Sequence, residues 1–192
     1  MGDPTDLTGE FTGKLLIAMP GMADPRFTNA VVFLCAHSDD GAMGLMLNRP
    51  TKGVTLADLF DQLSIEDKAD TRDIAVMVGG PVDEERGFVL HSSDYASALS
   101  TMNPIPEIAM TATMDIMQDI AAGRGPRRRL VTLGYCGWGG GQLERELSEN
   151  AWLTCDASLA LVFDTKPAAI WEAALNSLGV SPALLSATPG RA

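Results

Sequence analysis

The sequence predicts a mixed fold of short strands and amphipathic helices around one apolar core. Three observations carry that reading. Short apolar or β-branched runs alternate with Gly, Pro, Asn and Asp turn signals. Several longer stretches repeat their apolar residues with helical spacing. Between Leu130 and Leu147 the chain runs from a buried strand, through a run of glycines, into a helix. In that stretch Val131, Leu133 and Tyr135 are expected on one side of the strand. Gly137, Gly139, Gly140 and Gly141 are expected in the connection, where glycine tolerates φ > 0 and close backbone approach.

Taken in order, Lys14 to Met19 reads as a first strand, stopped by Pro20-Gly21. Ala30 to Ala36 is apolar throughout, as expected of a strand covered on both faces. Ser38-Asp39-Asp40-Gly41 turns it into a hairpin with Ala42 to Leu47, ended by Asn48-Arg49-Pro50. Thr55 and Asp58 form a capping pair for a helix through Leu63, with Leu56, Leu59, Phe60 and Leu63 on one face. Ser64 to Asp73 is polar and reads as a surface connection. Ile74 to Val78 is a strand, and Gly87 to His91 follows as its hairpin partner.

Ser92 to Pro106 reads as loop, and Ile108 to Ala112 as a short strand. Met114 to Ala122 is a helix ended by Gly123. After the central strand and helix, Trp152 to Thr154 and Leu159 to Phe163 read as extended. Lys166 to Leu178 is a helix stopped by Gly179. No repeat is visible, so one domain is expected over residues 1–192, with residues 1–12 as a flexible leader.

The composition narrows the function classes. No apolar run approaches the ~20 residues of a membrane span, and the leader has neither a basic region nor an apolar one. Asp6 stands where a myristoylation signal needs Ser or Thr. Cys35, Cys136 and Cys155 are an odd set without a C-x-x-C pair, which fits reduced thiols and a cytoplasmic protein. A net charge of −11 opposes nucleic-acid binding, which draws on cations meeting phosphates. The one basic island is Arg124 with Arg127 to Arg129.

Motif tests eliminate several chemistries. No Lys follows the glycines, as a phosphate loop requires, and Gln142 occupies the third glycine position of a dinucleotide fingerprint. Trp138 stands where a nucleophile elbow around Cys136 needs Gly. His37 and His91 pair with no second ligand at metal spacing, so neither a metal nor a cofactor is expected. No catalytic residue is assigned. The candidate ligand-binding set is Arg86, His91, Gly137, Trp138, Gly139, Gly140, Gly141, Gln142 and Glu144. In this scheme the glycine turn and helix N-terminus offer N–H donors, Arg86 a clamp and Trp138 a wall. The expected ligand is a small anion or carbonyl compound, with a protein partner as the other possibility.

At this level of detail the chain resembles the AlgH/YqgE family of bacterial proteins. The resemblance rests on LLIAMPGMADPRF, GAMGLMLNRP, GGPVDEERGFVLH and GYCGWGGGQLERELSENAWL, in that order, and on the final LVFD and WEAALNSLG segments. It implies an α+β fold: a mixed, largely antiparallel sheet curled into a flattened β-barrel flanked by α-helices. Members carry a transcriptional-regulator label. Two departures bear on chemistry. Cys136 stands where Ala or Ser is common, and Arg191 where relatives often have His, so neither a catalytic thiol nor a C-terminal His is expected. The leading expectation is a non-catalytic binding or regulatory protein acting indirectly on transcription. Its rivals are a direct DNA-binding regulator and an enzyme using Cys136, His91 or Arg86.

Overall fold

The computed structural model describes residues 9–185. Among these residues, ten strands, four α-helices and short 3-10 turns form a mixed α+β structure whose largely antiparallel sheet curls into a half-barrel with helices packed against it. The strands are β1 (Lys14–Ala18), β2 (Val31–Ser38), β3 (Gly41–Met46), β4 (Pro50–Thr55), β5 (Ala75–Val78), β6 (Val82–Ser92), β7 (Met102–Ile105), β8 (Ile108–Thr111), β9 (Arg129–Gly139) and β10 (Trp152–Asp156). The helices are α1 (Leu56–Gln62), α2 (Met114–Ala121), α3 (Gln142–Ser148) and α4 (Ile170–Ser177).

The strand order is β10-β1-β2-β3-β9-β6-β8-β7. β9 is the centre: β3 pairs with its C-terminal half, β6 with its N-terminal half, and β5 runs parallel to residues 132 and 133. At the start of β1, Gly13 packs on Ile105 of β7, which brings the far edge of the sheet back against its beginning. Leu15, Phe33, Leu45, Leu90 and Ile108 fill the inside, together with Ile170 and Leu175 of α4. On the outer surface, α1 and α2 pack on Val76, Val89 and Val131. A second outer cluster gathers Leu16, Val32, Cys136, Trp138, Trp152 and Leu143 of α3.

Local signals produced local structure where expected. Thr55 Oγ1 accepts from the Asp58 N–H, and the Asp58 carboxylate accepts from the Thr55 N–H at 2.7 Å, so the capping box starts α1. The β2–β3 hairpin closes through Ser38 opposite Gly41. Of the expected leader, residues 1–8 lie outside the described residues, as does Arg191. Residues 9–12 form a turn with the Phe11 ring edge-on to His37.

Four expectations need correction. Gly87 to His91 is not the hairpin partner of β5. Because β5 and β6 both pair with residues 132 and 133, they lie on opposite edges of β9, and the connection between them crosses that strand. Tyr135 does not share a face with Val131 and Leu133. Gly134 adopts φ +74° and breaks the alternation, sending Tyr135 to the barrel interior while the other two pack under α1 and α2. Pro50–Thr55 and Met102–Ile105 are strands that polar content and prolines concealed, and Pro104 is tolerated because β7 is the last strand of the sheet. Ala160–Asp164 is a π-helical turn, since a short apolar run cannot by itself distinguish a strand from a buried helix.

Candidate functional site

β9 delivers Trp138, and β10 delivers Trp152. Between them in sequence, α3 starts after Gly141, whose φ of +74° turns the chain, and is anchored by buried Leu143. Gln142 and Glu146 are four residues apart and so share a helix face. That face turns inward. The indole Nε1–H groups of Trp138 and Trp152 both donate to Glu146 Oε2 at 2.9 Å. The Gln142 amide donates to Oε1 at 2.9 Å, and the Gln142 carbonyl oxygen accepts from the Gly139 N–H at 3.1 Å. A single carboxylate therefore ties β9, α3 and β10 together.

Beside this node lies a cavity of about 760 Å³. Met19, Met22, Phe27, Trp138 and Trp152 supply its apolar walls. The ring of Trp152 stands edge-on to Trp138 at 6.1 Å and to Phe27 at 5.7 Å. The segment from Met19 to Phe27 forms one rim and is pinned from outside. Arg49 donates to the Thr28 carbonyl at 2.8 Å and the Arg26 carbonyl at 3.1 Å, and Asn48 donates to the Asn29 carbonyl at 2.8 Å. This is the work of Asn48 and Arg49, which the sequence suggests only as a strand end. On the rim Arg26 forks onto Asp24, at 3.0 and 2.6 Å, and holds the Asp24 carboxyl below its usual range.

Cys136 borders the cavity but its thiol is committed. It donates to the Gly79 carbonyl at 3.3 Å, and burial pushes its pKa up to about 12. A thiol held so far from thiolate is a poor nucleophile. Cys136→Ala is therefore expected to keep stability within about 1.5 kcal/mol in chemical denaturation. The native wild-type thiol should resist alkylation at neutral pH until the protein unfolds.

The other sequence candidates separate. Arg86, Gly137 and Trp138 do share a second groove, which adjoins the cavity at Gly137 and Trp138 and is also lined by Phe88 and Tyr135. There the Arg86 guanidinium sits 5.1 Å over the Phe88 ring. Gly137 and Gly139 belong to β9 and not to a loop, and only Gly141 of the four glycines has positive φ. Gln142 occupies the Gly139 N–H, and Glu144 of the first turn accepts from the buried His37 Nε2–H at 2.5 Å, which lowers the Glu144 pKa.

Gly140 packs on the β2–β3 turn, where a Cβ would meet the Asp39 carbonyl oxygen at 2.7 Å. Gly140→Val should push that turn aside at a cost of about 1–3 kcal/mol. The check is a lowered melting temperature with shifted Asp39 and Asp40 amide signals.

His91 lies opposite Arg129 in the β6–β9 register, seven residues from Cys136 along β9, or roughly 20 Å at strand spacing. No Cys136–His91 dyad exists. His91 is fully buried: Nδ1–H donates to the Ser92 carbonyl at 2.9 Å, and Nε2 accepts from the Thr111 hydroxyl at 2.9 Å. Desolvation lowers its pKa. The unfolded chain then takes up a proton near pH 6.5 that the folded protein refuses, so stability falls as pH drops below about 6.5 and levels off below the folded pKa. Melting curves between pH 8 and pH 5 should show this loss in the wild type and a weaker one in His91→Gln.

Two of the four arginines in the basic island are paired with carboxylates. Arg128 forks onto Asp164 at 3.0 Å, Arg124 pairs with Asp119 at 3.1 Å, and Arg129 is half-buried. Among the described residues no helix is long and apolar enough to cross a membrane. The residues missed by sequence reasoning are Glu146, Trp152, Phe27 and Met22. The usable signal for the first is the Gln142–Glu146 spacing.

Known proteins share this architecture. The family model described as AlgH-like matches residues 15–183. A UPF0301 protein of Jannaschia sp. (strain CCS1) is 55% identical over 188 residues, covering 97% of this chain and 98% of the relative. A UPF0301 protein of Paracoccus denitrificans is 48% identical over 189 residues, covering 97% and 100%. The solution structure of the AlgH protein from Pseudomonas aeruginosa superposes with TM-score 0.76 at 44% identity, covering all of both chains. A crystal structure of a Corynebacterium diphtheriae protein, 16% identical with TM-score 0.70 over 90% of this chain and 94% of its own, shares the fold alone.

Proposed function

This chain belongs to the AlgH-like family, and from that membership we propose that it is a cytoplasmic, single-domain, non-catalytic binding protein that acts on transcription indirectly. Its binding site in this reading is the cavity between Trp138, Trp152 and Phe27. The observation that carries it is Glu146, which spends its carboxylate on fixing two indoles and a glutamine as rigid cavity walls. Such preorganised aromatic surface lowers the entropy cost of seating a ligand. A catalytic reading lacks support in the nearby groups: the Cys136 thiol is committed and His91 is remote.

The test is a metabolite screen by thermal shift. A ligand at 100-fold its Kd adds about 2.7 kcal/mol, or about 5–11 °C for a chain of this size. The gain should vanish in Phe27→Ala, which removes one wall. A screen without stabilising compounds, or a gain that survives in Phe27→Ala, would overturn the assignment. The DNA-binding reading is checked separately by salt titration of duplex binding, where no steep dependence on salt is expected.

A further inference from the structure

Because the cavity is lined by three aromatic rings and by more carboxylates than cations, we propose that its ligand is an organic cation of the methylated-ammonium class. The inference rests on the cavity being the binding site.

The charge inventory comes first. Asp24, Arg26, Glu146 and Glu149 are the charged residues lining the cavity. Arg26 is cancelled by its fork onto Asp24. Glu146 accepts only from neutral donors, and neither it nor Glu149 has a basic partner within 4.0 Å among the described residues. Two carboxylates therefore remain without a countercharge. An anion entering here would meet like charge.

The walls point the same way. Trp152 stands nearly perpendicular to both Trp138, at 75°, and Phe27, at 68°. These are edge-to-face contacts between rings that all line the cavity. Their π faces attract a cation, most strongly when it is large and weakly hydrated, as a methylated ammonium is. With both indole N–H groups turned to Glu146, neither ring has a donor left to offer an anion. The methionines Met19 and Met22 supply polarisable apolar contact for the methyl groups.

Three isosteres isolate the charge: choline, neutral 3,3-dimethylbutan-1-ol and anionic 3,3-dimethylbutanoate. The readout is the indole Nε1–H signals of Trp138 and Trp152 in ¹⁵N-correlated spectra. Trp171, whose N–H donates to the Ala18 carbonyl at 2.8 Å and which does not line the cavity, is the internal reference. Choline should shift the two cavity indoles saturably, with Trp171 still, and bind about tenfold more tightly than the alcohol. Exposed Glu149 makes no side-chain hydrogen bond among the described residues, so Glu149→Gln should keep the fold and weaken choline alone by roughly two- to fivefold. If the alcohol or the acid binds as well as choline, the cation class is wrong while the cavity stands as a binding site. If none of the three moves the two indoles, the cation class is likewise wrong, and the metabolite screen with Phe27→Ala decides the cavity separately.

Discussion

Gly80→Ala is expected to be the most damaging of the single substitutions considered for this fold, lowering stability by about 4 kcal/mol. The chain leaves β5 on one edge of β9 and enters β6 on the other, so Gly79, Gly80 and Pro81 must pass across that strand in backbone contact. A Cβ on Gly80 would lie 2.1 Å from the Tyr135 carbonyl carbon, 2.2 Å from its oxygen and 2.4 Å from the Cys136 nitrogen. All three are main-chain atoms, which no rotamer change can move. Relief requires the crossing to lift, and that strains the bonds Gly79 makes there: its N–H to the Leu133 carbonyl and the Met46 N–H to its own carbonyl, each 2.7 Å. For a protein of this length the loss corresponds to about 8–16 °C in melting temperature. Gly87→Ala is the control, since nothing lies within 4 Å of the position its added methyl would take and its φ is not positive. Equal melting of the two variants would contradict the crossing.

Glu146→Leu should cost about 3 kcal/mol. The substitution keeps the volume but leaves two buried indole N–H groups and the Gln142 amide without their acceptor. Each orphaned buried donor costs about 1–3 kcal/mol, reduced here because Glu146 itself reaches solvent and water can partly replace it. Glu146→Gln retains an acceptor oxygen and should lose only about 1 kcal/mol. Calorimetric melting gives the magnitudes, and the Trp138 and Trp152 indole signals report whether the walls have moved. A Leu variant with wild-type melting and unmoved indoles would mean that the carboxylate is incidental to the cavity.

These two residues mark the difference between what is legible in the sequence and what is not. Gly79-Gly80-Pro81 is visible in the sequence as a strand terminator, and it is one, but the terminator is also a crossing. Adjacent strands separated by a short turn ordinarily pair, so the local pattern points Gly87 to His91 at β5. What prevents that pairing is β9, more than forty residues further along the chain, which inserts between them. Glu146 likewise reads as one of several acids on a polar helix face. Only the arrival of Trp152 from β10 and Trp138 from β9 turns that face into an interior one.

The sequence by itself determined the features governed by short-range physics. Thr55 and Asp58 cap α1 because each satisfies the other's free N–H within one turn. Ser38 to Gly41 closes the β2–β3 hairpin, Gly179 ends α4 with φ +71°, and the net acidity follows from composition alone. The tertiary structure alone decided the partners of β9, the reversal of its faces at Gly134, and the cavity beneath the Met19 to Phe27 segment. Those outcomes depend on contacts between segments far apart in sequence. A side chain's local pattern records whether it is to be buried, but not against which distant strand, because that choice is made by the packing of the whole sheet.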